Sequence, residues 1–434
     1  MTDSRQNVSI WRNFGPLIIL VLGGSFVYAL PYFRYYYYDA FLATFQINNT
    51  QMGNLQSAYG VFAILSYFPG GWLADRVSAR KLLTFSMVTT GLLGLWLWTI
   101  PSYSITLFIH AAWGVTTILT FWPPMIKAVR MLAAANEQGK AFGFMESGRG
   151  ISNALHMSAA VAIFGYFSAK TTELAGLQGV MMGYGVICIL VGVLIFLMLK
   201  DNPQEISTKK GSSKEVLIQV LKMPHTWLIV VIMFCSYSMN MSFYYITPYS
   251  TQIFKASAVF GAAIGVLSQY VRPVGSAGAG ILGDIFNSSK IIAIGFVLMI
   301  TGLVGLILVP GEGTMTLVIL IGSSIFIYIS MYAIQALHYA LLEEGDYPLA
   351  ISGTAVGVVA TLGYLPEIIA PQIAGRILDA FPGAQGFHYF FMVLIAFAVI
   401  GLITTFVWMG MTKEKRAALL AMKKEKLTEA KTEG

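Results

Sequence analysis

Gly71-Trp72-Leu73-Ala74-Asp75-Arg76 closes one long apolar stretch, and Gly280-Ile281-Leu282-Gly283-Asp284-Ile285 closes another. Both read G-x-L-[AG]-D, and they lie 209 residues apart in a chain of 434. The two copies stand at the same place in each half, so the chain divides into two similar parts with parallel order.

Reading outward from the two copies, apolar stretches of spanning length recur from Phe14 to Met411. A bilayer-crossing helix needs about 20 such residues. The stretches are rich in Leu, Ile, Gly and Ala and do not alternate in polarity, which excludes the roughly ten-residue alternating strands of a β-barrel. Composition agrees: 56% of residues are hydrophobic and 11% charged, against about 25% charged in soluble domains.

Twelve spans are expected, near 14–42, 53–74, 82–100, 105–131, 141–168, 176–199, 224–252, 257–283, 290–309, 314–340, 350–377 and 387–410. The longest polar connection, 200–223, joins six spans in 1–199 to six in 224–411, and 412–434 forms a polar tail. Spans five and eleven both open on small residues, Ala141-Phe142-Gly143 and Ile351-Ser352-Gly353. The predicted fold is all-α, with twelve transmembrane helices in two pseudo-symmetric six-helix bundles. The first stretch is too long for a signal peptide and runs on into Arg34 and four tyrosines. Cys188 and Cys235 lie inside apolar stretches and read as small hydrophobes.

Basic residues set the expected orientation. With the N-terminus inside the cell, 19 of the 27 Lys and Arg fall in cytoplasmic segments. Both termini are therefore predicted to be cytoplasmic, in a multi-pass protein of a bacterial inner membrane. The same placement accounts for the net charge of +7 without a nucleic-acid partner.

The stretch from Gly71 to Lys81 resembles the loop signature of the major facilitator superfamily, G-x-L-A-D-R-x-G-R-K, and departs from it at Ser78 and Ala79. The resemblance implies a gating role for Asp75, docked at the N-terminal end of span eleven where a helix dipole favours a carboxylate. It implies a weaker version of that role for Asp284. A finer resemblance is to the organophosphate and organic-anion branch, the glycerol-3-phosphate transporter type. It rests on Arg34 within Tyr32-Phe33-Arg34-Tyr35, on Phe121-Trp122-Pro123-Pro124 followed by Lys127, on Lys200-Asp201-Asn202-Pro203-Gln204, and on Thr361-Leu362-Gly363-Tyr364. The second phosphate-binding arginine of that branch falls near Asn240 here. Asn240 in place of that arginine counts against phosphate and leaves a related organic anion as the implied substrate.

Ionisable residues inside spans narrow the search for a site. Arg34, Arg149 and Arg272 would together cost about 8–10 kcal/mol if they faced lipid, so each must face a cavity or a partner. Arg34 is followed by Tyr38 one turn on, and a guanidinium with a phenol makes an anion clamp. The alternatives are snorkelling to the interface and pairing with Asp39. Lys127 is expected to reach the cavity from span four. Glu146 and Arg149 share a helix face, either as a gate pair or as a pair that substrate breaks. Arg272 and Glu367 each stand beside a proline, either as a structural pair or as a substrate and proton site, with Glu367 the candidate proton carrier. Asn240 and Tyr244 offer neutral contacts to a ligand, or pack between helices. His156 is the one histidine deep enough to interest a relay.

Among the in-membrane candidates, Arg34, Lys127, Arg149 and Arg272 exceed Glu146 and Glu367 by two charges, which favours anions in a low-dielectric cavity. The expected function is secondary transport of a small organic anion, as antiporter or proton symporter, by a monomer without cofactor. A carrier of a neutral or zwitterionic solute such as a sugar or peptide, and a membrane sensor without flux, are the alternatives. No nucleotide, zinc-protease or hydrolase motif suggests an enzyme.

Overall fold

The computed structural model describes residues 14–132, 138–200, 214–309 and 314–421. Among them the regular elements are helical, and they form twelve long passages in chain order. The first passage is α1 (Phe14–Phe26), α2 (Ala29–Tyr32), a 3-10 turn at Phe33–Tyr35 and α3 (Tyr38–Phe45). Then come α4 (Asn49–Arg76), α5 (Ala79–Trp98), α6 (Tyr103–Ile118) with α7 (Trp122–Leu132), α8 (Gln138–Lys170) and α9 (Glu173–Met198). A short helix, α10 (Lys214–Lys222), precedes the seventh passage: α11 (Pro224–Asn240), a 3-10 turn at Phe243–Tyr245 and α12 (Ile246–Gln252). The rest are α13 (Ala258–Phe286), α14 (Ser288–Ile307), α15 (Thr314–Leu337) with a 3-10 turn and α16 (Leu341–Glu344), α17 (Leu349–Gly363) with α18 (Pro366–Ala380), and α19 (Ala384–Met411).

Among the described residues, nine passages are long and apolar enough to cross a membrane. The other three, α4, α8 and α13, have 28, 33 and 29 residues and are long enough to span. They carry more polar and small side chains, such as Asn54, Gln56 and Ser57 on α4 and Glu146, Arg149 and Asn153 on α8.

The chain stops and starts its helices by ordinary means. At the head of α4, Asn48 and Gln51 form a reciprocal capping box, Asn48 Oδ1 accepting from Gln51 N at 2.8 Å and Gln51 Oε1 from Asn48 N at 3.0 Å. Ser78, where the loop motif departs from its usual glycine, caps α5 by accepting from Lys81 N.

Prolines break the passages from within. A proline ring clashes with the carbonyl four residues back. Pro31 faces Val27, where α1 gives way to α2, and Pro123 and Pro124 face Leu119 and Thr120, where α6 gives way to α7. Pro248 faces Tyr244, inside the 3-10 turn of the seventh passage, and Pro366 faces Leu362 just before the α17–α18 break. The tenth passage breaks at His338–Ala340 without a proline.

The contacts resolve the chain into two compact units, Met1–Lys209 with Lys255–Tyr270, and Lys210–Phe254 with Val271–Gly434. In the first, α5 lies against α9 so closely that a Cβ on Gly91 would stand 2.6 Å from the Gly185 carbonyl oxygen. Only glycine permits that approach. In the second, the buried Glu344 ties three helices: its carboxylate accepts from Ser289 N at the head of α14 (3.0 Å) and from Trp408 Nε1 on α19 (3.1 Å).

Candidate functional site

In the first unit the two proline-broken passages bring aromatic rings to one guanidinium. Tyr28 stands at the α1–α2 break and Trp122 heads α7. Arg149 of α8 lies with its guanidinium carbon 5.1 Å from the Trp122 ring and 6.0 Å from that of Tyr28, cation–π distances. Arg149 Nε donates to the Gly24 carbonyl at 3.0 Å and Nη1 to Glu146 Oε1 at 2.8 Å. A Cβ on Gly24 would come within 3.0 Å of Arg149 Nε and Cδ, so the glycine makes room for the arginine. Arg149 is 8% exposed, and among the described residues its Nη2 has no hydrogen-bond partner. The Glu146 side chain is 45% exposed. A solvent-exposed carboxylate is a weakly held counter-charge for a guanidinium, and an incoming anion would meet the Nη1 and Nη2 fork.

Arg149 belongs to a polar stripe. Glu146, Arg149, Asn153 and His156 recur at intervals of three and four on α8, one face of a helix. His156 stacks on Phe26 at 4.5 Å. Its Nδ1 is 3.1 Å from the Tyr184 hydroxyl and its Nε2 3.3 Å from Asn153 Oδ1. The consistent assignment has Nε2–H donating to the amide oxygen and Nδ1 accepting from the phenol. Beside the stripe runs a groove of about 600 Å³ between α1 and α8, walled by Val21, Phe26, Phe144, Ile151 and Leu155, with His156 also in its lining.

Arg34 is placed differently. It is fully buried. Nη1 donates to the Pro31 carbonyl and Nη2 to Gln56 Oε1, while the Tyr35 ring lies 4.6 Å away. Its Nε, and Nε2 of the buried His110, have no hydrogen-bond partner among the described residues. Tyr38 was expected to share its face one turn on, but the helix is interrupted between Tyr35 and Tyr38, and the Tyr38 hydroxyl donates to Asn49 Oδ1 at 2.8 Å.

In the second unit, breaks in three passages gather tyrosines. The Tyr339 hydroxyl is 3.3 Å from that of Tyr364, and the Tyr364 ring lies 4.5 Å from Tyr237. Glu367 is buried in the first turn of α18, its N–H donating to the Tyr364 carbonyl. Arg272 is half-buried with its guanidinium 5.6 Å from the Tyr332 ring. Tyr244 is buried against Phe243 at 4.0 Å. The amide of Asn240 is turned to Met331 Sδ, 3.6 Å away, a weak acceptor. The two 3-10 turns, Phe33–Tyr35 and Phe243–Tyr245, are 210 residues apart, close to the spacing of the loop motif. Tyr244, rather than Asn240, therefore stands where Arg34 stands in the other half.

The chain matches the Major Facilitator Superfamily over residues 11–371. The chain belongs to that superfamily. It is 30% identical over 418 residues to the inner membrane protein YqcE of Escherichia coli, covering 94% of this chain and 96% of that one. A probable hexose phosphate transport protein of Chlamydia muridarum is 23% identical over 195 residues, 44% of this chain and 39% of its own. The fold matches that of a bacterial homologue of the human lysosomal transporter Spinster, with a TM-score of 0.76 at 15% identity over 96% of this chain and 99% of the other. The major facilitator fold read from the loop motif is thus found, and with it a membrane transporter of this superfamily.

Of the motif residues of this facilitator, Asp75 lies on the last turn of α4, and its side chain lies outside the described residues. Asp284 is exposed near the end of α13. Lys127 is half-buried, with Nζ donating to the Ala74 carbonyl at 2.5 Å. Sequence reasoning passed over Trp122 as a partner of Arg149, and over Tyr237 and Tyr339. The available signal was their position at or near helix breaks, where broken passages line sites in transporters.

Proposed function

We propose that this facilitator is a secondary active transporter of a small organic anion, a carboxylate, sulfonate or phosphate ester, moved across the inner membrane by alternating access as an antiporter or proton symporter. One observation carries the proposal: Arg149 is buried beside Trp122 and Tyr28, and among the described residues holds one guanidinium nitrogen without a partner and another on a half-exposed carboxylate. A partly desolvated arginine with a replaceable counter-charge is a site for an anion. The partial likeness to a hexose phosphate transport protein supports the class, and the name of the YqcE relative supports the membrane. Cytoplasmic termini follow from the placement of Lys and Arg. Arg34 joins Arg149 in the anion site in another state of the cycle, Glu367 carries the proton if protons couple, and Asp75 and Asp284 act at the gates.

Counterflow in proteoliposomes tests this. Anionic solutes are expected to exchange in the wild type and to lose exchange in Arg149→Gln and in Arg34→Gln, while the two variants keep the wild-type melting temperature within a few degrees. Retained exchange in both variants would sink the anion site. A second reading, a carrier of a neutral or zwitterionic solute, is favoured by the full burial of Arg34 on Pro31 and Gln56. It predicts exchange of uncharged sugars that Arg149→Gln leaves intact.

A further inference from the structure

α10 is a nine-residue helix bonded to the foot of a membrane span. Val216 is half-buried and Val220 fully buried, and these two mark the side that meets the protein. Leu217, Ile218 and Leu221 are 41%, 42% and 37% exposed and fall within one arc of about 100° at 100° per residue. Glu215, Gln219 and Lys222 occupy the arc beyond, all exposed. The helix thus shows three sectors: one on the protein, one apolar and open, one polar and open.

The corner between α10 and α11 is fixed by hydrogen bonds. Thr226 Oγ1 lies 2.8 Å from the Val220 carbonyl and 2.7 Å from the Tyr347 hydroxyl, and Trp227 Nε1 donates to the Leu221 carbonyl at 2.9 Å. Thr226 N–H donates to the Met223 carbonyl at 3.1 Å. Trp227 itself is 48% exposed, one turn inside the span that begins at Pro224. An exposed tryptophan at the end of a span sits at headgroup level. Its bond to Leu221 therefore sets the last turn of α10 at the same depth.

We propose that α10 is an interfacial helix, lying in the headgroup layer with Leu217, Ile218 and Leu221 turned toward the acyl chains and Lys222 toward anionic lipid phosphates. The occupant of the open apolar sector is the bilayer surface, because that sector is continuous with the lipid-facing start of α11 at Trp227. The sequence around the helix is basic, with Lys209, Lys210, Lys214 and Lys222, as expected for contact with an anionic leaflet. α10 also packs on α17, the first part of the eleventh passage.

The test places nitroxide labels on the full-length protein in vesicles, one at a time, through Leu217→Cys, Ile218→Cys, Gln219→Cys and Glu215→Cys. Cys188 and Cys235 are both buried and remain in place. The vesicles are phosphatidylethanolamine with phosphatidylglycerol, or phosphatidylcholine alone. Relaxation by oxygen, which concentrates in acyl chains, is compared with relaxation by a water-soluble nickel chelate. At 217 and 218 the balance is expected to shift toward oxygen, and at 215 and 219 toward nickel, with a deeper shift when phosphatidylglycerol is present. Lys222→Gln is expected to reduce that difference between vesicles and leave the phosphatidylcholine pattern unchanged. Equal nickel access at all four sites would overturn the proposal, and so would labels at 217 and 218 shielded from both reagents, the outcome for a protein partner. Sites 215 and 219 share the helix and report on its integrity.

Discussion

Lys127 Nζ donates to the carbonyl of Ala74 from 2.5 Å, so the cation closes the last turn of α4 beside Asp75. The last four carbonyls of a helix have no partner within it, and a cation there also meets the negative end of the dipole. Lys127 is half-buried, which places its contribution at about 0.5–2 kcal/mol. Lys127→Met is expected to lower the melting temperature while leaving the KM for transport within about twofold, a difference under half a kcal/mol. A KM raised tenfold at unchanged melting temperature would return Lys127 to the substrate site.

Glu344 should be among the most costly single positions in the second unit. Its two oxygens satisfy Ser289 N and Trp408 Nε1, and the residue is 4% exposed. Removing the carboxylate leaves two buried donors unpaired, at roughly 1–3 kcal/mol each. Glu344→Ala is expected to destabilise the protein strongly. Glu344→Gln, which keeps an acceptor oxygen but loses the charge at the head of α14, should fall between Ala and wild type. Thermal melts of the three proteins in one detergent check the order, and equal melts for Gln and Ala would refute it.

Two glycines should respond in opposite ways. A Cβ on Gly91 would lie 2.6 Å from Gly185 O and 2.7 Å from Ile189 Cγ1, whereas one on Gly71 meets nothing within 4 Å. Gly91→Ala must push α5 off α9 and is expected to cost about 1–3 kcal/mol. Gly71→Ala, in the middle of a helix, removes backbone freedom from the unfolded chain and should be neutral or stabilising by up to about 1 kcal/mol. If Gly71→Ala abolishes transport without loss of stability, the motif glycine has a role in the moving protein that its surroundings in this state do not reveal.

The contrast between Gly71 and Arg34 shows what sequence could and could not disclose. Nine passages were legible from their apolar length alone, since each needs about twenty apolar residues, while α4, α8 and α13 are long but more polar. The internal repeat was legible because the same five-residue motif recurs, and the two 3-10 turns recur at nearly the same spacing. Arg34 was readable as an in-membrane charge that needs a partner, but its partner Gln56 sits 22 residues away on α4, beyond any local spacing rule. Tyr38 misled because the i+4 rule assumes an unbroken helix, and the passage breaks between them. Pro31 gave warning of that break. The Arg149–Glu146 pair was legible because both lie on one helix, three residues apart, while Trp122 and Gly24 reach it from other passages.

That pair permits a test that separates a gate from a binding site. Glu146 is about half exposed, so water screens the pair and its worth to stability is at most about 1 kcal/mol. Glu146→Gln should therefore barely move the melting temperature. For an anion, however, Glu146 is a competitor for Arg149 Nη1. Removing its charge is expected to tighten binding of an anionic solute several-fold, on the order of 1 kcal/mol, and to slow turnover, since the carboxylate no longer displaces the solute. Arg149→Gln is expected to lose anion binding, and the double variant to bind the anion like Arg149→Gln alone, because Glu146 competes with the anion for the arginine. Binding measured by isothermal calorimetry on the four proteins closes the cycle. Additive effects of the two substitutions would show that Glu146 and Arg149 act separately. An unchanged affinity in Glu146→Gln, with flux lost, would make the pair a gate and leave the anion to another arginine.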